Sequence, residues 1–286
     1  PDVMTKLTPS TENKRRGLPW SGWIVLVITT IIALFPMYWL FVMAFTPIRD
    51  TPPVRPDLLP LNLSLANFGR LLTNAKDYSR WMFNSLLIAS AVTTWHLFFD
   101  TLAGYAFAKK RFPLRDLLFW IILGTLMVPP QVTLIPLYIV IRQLQLLDSL
   151  PAVILPGTAA VFGIFLMRQY IQTLPHELED AANIDGCTEF GVFWHVILPL
   201  TKPAMAALAI FTFVRSWNDF LWPLIALNKS PNFTLTVGVA NLQGEFTTDW
   251  GIIFAGAALA ALPMIVFFLL FQRYFLEGVR MGALKG

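Results

Sequence analysis

Long apolar stretches separated by short polar interruptions set the rhythm of this chain. Six of them, at 22–45, 81–108, 117–141, 152–170, 203–227 and 251–275, approach or exceed the roughly 20 residues a helix needs to cross a hydrocarbon layer about 30 Å thick. The pattern predicts an all-α transmembrane protein with six spans. Pro129-Pro130 and Pro136 interrupt the third, and Pro223 loosens the fifth. The first span is longer than the core of a secretory leader and no small-residue cleavage site follows it, so it is expected to stay in the mature protein. An even number of spans puts both termini on one side.

Composition sharpens the picture. Of 286 residues, 56% are apolar and only 13% charged, where soluble domains average about 25% charged. One core of this length has no room for so much apolar surface, which excludes a soluble enzyme and a disordered chain. One Cys and three His exclude a disulfide framework and a multi-ligand zinc site. The net charge of +4 comes from short clusters such as Lys109-Lys110-Arg111 beside apolar spans, which speaks for topology and against nucleic-acid binding. Most Lys and Arg fall on the side of the termini, and the tightest cluster, at 109–115, lies in a short loop, where the positive-inside bias counts most. Both termini are therefore expected in the cytoplasm, with 1–19 as a polar tail and 20–286 as the six-span domain.

Two loops are long. The segment 46–79, rich in Pro and Asn, is expected to fold over the outer membrane surface. The inner loop 171–201 has more pattern. Pro175 suits the first turn of a helix, and Glu177, Glu179 and Asp180 complement its positive end. Gly186 lies where a left-handed residue would close it. Ala181 and Ala182 leave its backbone open to close approach. Beyond Gly186, Phe190, Phe193, Trp194 and Ile197 form an apolar stripe at helical spacing that Pro199 ends. A solvated acidic turn between two spans explains the same residues.

Asp180-Ala181-Ala182, three residues, Gly186, nine residues and Val196-Ile197-Leu198-Pro199 together resemble the "EAA" loop of ABC-importer permeases. Asp180 stands where that family has Glu, Val196 where it has Ile, and Cys187 where Ala is common. Pro175 to Gly186 is similar to the carbohydrate-uptake branch of the family. So are Ala103-Gly104-Tyr105-Ala106-Phe107-Ala108, Val128-Pro129-Pro130 with Ile135-Pro136-Leu137, Trp217 to Pro223, and Gly282 to Gly286. The resemblance implies the six-helix type I importer transmembrane domain of a sugar or polyol importer of the bacterial inner membrane. It implies a homologous second permease, two ATP-binding subunits that hold ATP and Mg, and an extracytoplasmic solute-binding protein. It assigns docking of an ATP-binding subunit to Glu177, Asp180, Ala181, Ala182, Asp185 and Gly186, with Arg280 to Gly286 as secondary candidates. The chain has no Gly-Lys dipeptide and hence no P-loop, so no catalytic residue, cofactor or metal is expected in it.

Ionisable residues inside spans mark either a pathway or an internal pair. Arg215 and Asp219, four apart in the fifth span, either neutralise each other on one helical face or line a solute pathway with Asn218 and Trp222. The break at Pro129 and Pro130 is a further pathway candidate, since it frees carbonyls at mid-depth; a kink that only shapes the bundle explains it equally. For His96 and Asp100 in the second span, packing against a neighbouring helix is preferred over ligand contact. An ion-coupled secondary transporter accounts for the same in-span charges, and an intramembrane enzyme would need a nucleophile paired with His96.

Overall fold

The structure, a computed structural model, describes residues 19–47, 62–243 and 249–283, with side chains through residue 272. The expected tail 1–19, apart from Pro19, and the side chains of the Arg280–Gly286 segment lie outside the described residues. Among the described residues all regular structure is helical.

Helix α1 (Trp20–Phe45) is apolar all round and exposed along most of its length. Only its last turn, Val42 to Ala44, is buried, where Trp39, Trp250 and Phe254 pack around Val42 and Met43. Helix α2 (Ala66–Asn74) lies across that end. Fully buried Asn67 donates its side-chain amide to the carbonyls of Ala44 and Thr46 at 3.0 and 2.6 Å, which satisfies acceptors a helix C-terminus leaves without a partner. Helix α3 (Tyr78–Lys109) runs 32 residues without a proline and forms the centre of the bundle.

The third span is two helices, not one kinked one. α4 (Arg115–Gly124) continues through a 3-10 turn to Met127, and α5 (Pro130–Gln143) leaves at an angle of 100°. Pro129 precedes α5 and Pro130 is its first residue, a position where a missing N–H costs nothing. The fourth span is α6 (Leu150–Gly157) followed by α7 (Phe162–Ile171), together long and apolar enough to cross.

The inner loop contains α8 (Glu177–Ile184), then α9 (Glu189–Val192), a π turn (Phe193–Ile197) and α10 (Leu198–Leu200). Pro199 does not end this helix as expected. It has no N–H to donate, and just before it the ladder widens so that Leu198 bonds to Phe193. The chain then bends 76° at Thr201 into α11 (Lys202–Trp217). The fifth crossing therefore draws on residues 189–200 as well as α11.

The fifth span also departs from expectation at its far end. α11 stops at Trp217, and α12 (Leu221–Ala226) starts anew. Pro223 is the cause: it offers no N–H to the Asp219 carbonyl four residues back, and its ring crowds that oxygen. The Thr236 hydroxyl donates to the Asp219 carbonyl instead, at 2.7 Å. α13 (Leu235–Ala240) and α14 (Trp250–Ala283) complete the chain. Four candidate spans and two sharply bent pairs give up to six crossings.

Candidate functional site

The inner loop is built as the sequence pattern requires. α8 carries Glu177, Glu179 and Asp180 in its first turn, where the helix dipole favours negative charge. Gly186 has φ +83°. Its N–H donates to the Asn183 carbonyl at 3.1 Å, and the Cys187 N–H to the Ala182 carbonyl at 3.0 Å. That is the double bond pattern of a Schellman cap, which a left-handed glycine closes without steric cost.

The two faces of α8 differ sharply. Glu177, Asp180, Ala181 and Ile184 recur at helical spacing and are exposed, as are Asp185 and Gly186 beyond them. Ile184 is 86% exposed, which for a β-branched apolar residue leaves it touching almost nothing of its own chain. Ala182 faces the other way. It is buried with Tyr105, Met167, Ile171, Val192, Phe193 and Ile197 in the core beneath the loop, so its methyl takes no part in the exposed face. Phe190 and Trp194 of the apolar stripe stay exposed and stack on each other, while Phe193 and Ile197 enter the core.

Sequence reasoning missed how this helix is held. Glu179, 6% exposed, turns into the protein. Its Oε2 accepts from the Tyr105 hydroxyl at 3.0 Å and lies 3.5 Å from Lys110 Nζ, and its Oε1 lies 3.8 Å from Lys109 Nζ. Lys109 also donates to the Leu174 carbonyl, and Lys110 pairs with Glu189. Burial works against the Lys110 charge, but the bonds to Glu189 and Tyr105 outweigh it and hold its pKa above the ordinary lysine value. The signal was available. At about 100° per residue, Glu179 lies roughly 200° around from Glu177 and so points away from the face that carries 177, 180, 181 and 184; the 109–111 cluster supplies its charge partners.

The in-span candidates are arranged differently from the expectation. Because α11 ends at Trp217, Arg215 and Asp219 do not share one helical face, and they form no ion pair within 4 Å. Asn218 is exposed and bonds back to the Val214 carbonyl. Trp222 is buried, with its indole N–H donated to the Ala152 carbonyl at 2.9 Å. Pro129 and Pro130 are exposed at the α4–α5 break. No hydrogen bond or ion pair among the described residues joins that break to the 215–219 group.

His96 and Asp100 form a buried pair, Nδ1 to Oδ2 at 2.7 Å, and His96 Nε2 meets the Gly157 carbonyl at 3.0 Å. That carbonyl lies at the end of α6, where the helix leaves it without a partner. The pair thus ties α3 to the break between α6 and α7. Among the described residues there is no cluster of His, Cys, Asp and Glu that could hold a metal ion.

Comparison with known proteins gives a consistent result. Residues 100–281 match the family model described as "Binding-protein-dependent transport system inner membrane component". The chain is 37% identical over 278 residues to the arabinooligosaccharides transport system permease protein AraQ of Halalkalibacterium halodurans, covering 96% of this chain and 100% of the relative. It is 35% identical over 272 residues to the sn-glycerol-3-phosphate transport system permease protein UgpE of Yersinia enterocolitica, covering 93% and 97%. The fold superposes on a chain of a bacterial ABC transporter involved in the import of the acidic polysaccharide alginate. The TM-score there is 0.81 at 25% identity, covering 94% of this chain and 100% of that one.

Proposed function

This chain belongs to the family of binding-protein-dependent transport system inner membrane components, and on that premise we propose that the exposed face of α8 is where an ATP-binding subunit drives it. The chain is a permease subunit of an ATP-driven ABC importer for sugar- or polyol-type solutes, a multi-pass protein of the inner membrane. It is not itself an enzyme: ATP and Mg bind to separate ATPase subunits, and a second permease and a solute-binding protein complete the importer.

The observation that carries the docking assignment is the contrast between the two sides of α8. One side is built into the core through Glu179 and Ala182. The other offers Glu177, Asp180, Ala181, Asp185 and a bare Ile184 at 86% exposure. An apolar residue left uncovered within an acidic rim is a centre-and-rim arrangement suited to a protein partner. Asp180 reaches one methylene less far than the usual Glu, which places more of the contact on Ile184 and Glu177. The short helix, stiffened by its Schellman cap, then acts as a lever between two spans.

The bias of Lys and Arg toward the 109–115 end supports both termini in the cytoplasm, with 20–286 as the six-span domain and 171–201 as its coupling loop. The solute pathway is assigned to Arg215, Asn218 and Asp219 at the α11–α12 break, with Pro129 and Pro130 at the other break. Trp222, sealed against α6, supports that break from behind.

The test is the importer reassembled in lipid vesicles with its solute-binding protein. Uptake should require ATP and the ATPase subunits. Ile184→Glu should strip those subunits from the purified permease pair and abolish uptake, while membrane levels stay at wild type. Full uptake by that variant, or uptake persisting without the ATPase subunits, would overturn the assignment.

A further inference from the structure

Among the described residues Glu179 is the best-buried carboxylate of the 171–201 loop, and all the donors that hold it come from one place. Tyr105 and Lys109 sit on the last turn and a half of α3, and Lys110 is the residue that follows its end. Its Oε1 has no hydrogen-bond donor of its own, and the nearest charge to it is that of Lys109 at 3.8 Å. Pulling α8 away from α3 would strand a buried carboxylate and a lysine that is 1% exposed, and stranded buried charges are strongly unfavourable. Moving the two together costs nothing of the kind.

α3 suits such a partner. Among the described helices of more than 20 residues it is the one without a proline, since α1 contains Pro36 and α14 contains Pro263. Its 32 residues give a rod about 48 Å long at 1.5 Å per residue. At its far end the rod is pinned again. The Trp81 indole donates to the Ser230 carbonyl at 2.7 Å, and the Asn84 amide to the carbonyls of Pro231 and Phe233 at 3.0 and 2.9 Å. Ser85 accepts from the Leu235 N–H at 2.8 Å, and Ser230 donates to Asp77 at 2.6 Å. Trp81 also fills the space a side chain at Gly238 would need, with ring atoms 2.1 Å from the Cβ position. One residue beyond Leu235, Thr236 holds the Asp219 carbonyl at the α11–α12 break.

We propose that Glu179 is a positioning residue that pins the coupling helix to α3, so that this unbroken helix carries the motion of α8 across the membrane to the 230–236 segment and, through Thr236, to the break at Asp219. The other routes from the inner loop pass through broken elements. α7 leads to α6 across the gap after Gly157, and α11 is interrupted at Asn218. A rod held by short polar contacts at both ends moves as one body, whereas a broken helix absorbs displacement at its break. The inference rests on the docking of the ATPase subunit at α8 and adds the path beyond it.

The experiment measures solute moved per ATP hydrolysed by the complete importer in lipid vesicles, beside the amount of ATPase subunit retained. Glu179→Gln keeps the shape of the side chain and removes its charge. It should retain the ATPase subunits and hydrolysis, while solute moved per ATP falls about tenfold, within the usual range of coupling between sites. Tyr105→Phe removes only the hydroxyl and keeps the ring on Phe193, 5.6 Å away between centroids. It should lower the same ratio by a smaller factor, and the double variant should fall no further than Glu179→Gln alone, as expected when both act through one contact. Uptake and hydrolysis falling together at a constant ratio would show a purely structural role and overturn the inference. So would loss of the ATPase subunits in Glu179→Gln, which would place that residue in the docking surface. Should Glu179→Gln fail to assemble, an unchanged ratio in Tyr105→Phe is the overturning result. Failure of the docking assignment is recognised separately, by subunit retention in Ile184→Glu.

Discussion

Gly163 and Asp100 show how little slack single residues have at the centre of this bundle. A Cβ on Gly163 would lie 1.8 Å from Asp100 Oδ2 and 2.9 Å from Leu208 Cδ1. Asp100 has nowhere to retreat, because its Oδ2 is the oxygen that meets His96. Gly163→Ala should therefore destabilise the extracted permease by about 1–3 kcal/mol, the usual cost of overpacking a closed interface. Thermal unfolding in detergent measures it, with Gly124→Ala, which meets nothing within 4 Å, as the control. Equal melting of the two variants would mean that α3 and α7 are less tightly joined than the structure has them. Gly186 is legible at the same scale from sequence alone: its place after an acidic-headed helix predicts a left-handed residue, and φ is +83°. Gly163 is not, because its reason lies on another helix.

Between elements, buried or partly buried polar side chains do much of the joining. Asp148, itself at φ +59°, accepts from the N–H groups of Asn228 and Lys229 at 3.0 and 2.9 Å and fixes the turn after α12 to the one after α5. Partial burial pushes its pKa up, but the two backbone donors outweigh that and hold the carboxyl below its usual range. A pKa lowered on folding contributes stability that is present above the unfolded value of about 3.9 and is lost as pH falls through the folded one. Protection of the Asn228 and Lys229 amides from hydrogen exchange, corrected for intrinsic rates, should therefore drop on acidification below that range. Asp148→Asn tolerates the same backbone and should lower protection at neutral pH while removing that acid step. A step of unchanged size in the Asn variant would assign it to other groups. The breaks between elements were only half legible. Pro129-Pro130 announced the first, yet a proline in sequence does not say whether it kinks a helix or turns the chain by 100°. Pro223 announces a loosened fifth span, but not that its missing N–H acts four residues back, at Asp219, where the helix is broken outright.

At the scale of the molecule, the described surface is rich in apolar residues that a water-soluble protein would bury. Ile24, Ile28, Ile31 and Ile32 on α1 are all at least half exposed, as expected where lipid is the solvent. Exposure therefore has the opposite consequence here. Ile31→Arg, at a position 62% exposed, would be tolerated on a soluble surface but should cost about 2.5–3.5 kcal/mol of insertion at the centre of a span. Membrane-integrated yield reports it, and wild-type yield would argue that α1 is not lipid-facing.

Periodicity and length in the sequence were enough to predict six crossings, where the structure has up to six, and a short helix after Pro175 with its glycine cap. Each of these follows from interactions between near neighbours along the chain, or from the thickness of the membrane. The EAA spacing reached the family for the same reason, since it lies within one loop. Tertiary structure alone decided that Glu179 meets Tyr105, Lys109 and Lys110 and that Ile184 stays bare. It also decided that Arg215 and Asp219 part company, and that His96 closes the end of α6. Those outcomes depend on which donors and acceptors from distant segments arrive at the same place. A carboxylate or carbonyl that packing buries takes the partner that packing brings to it.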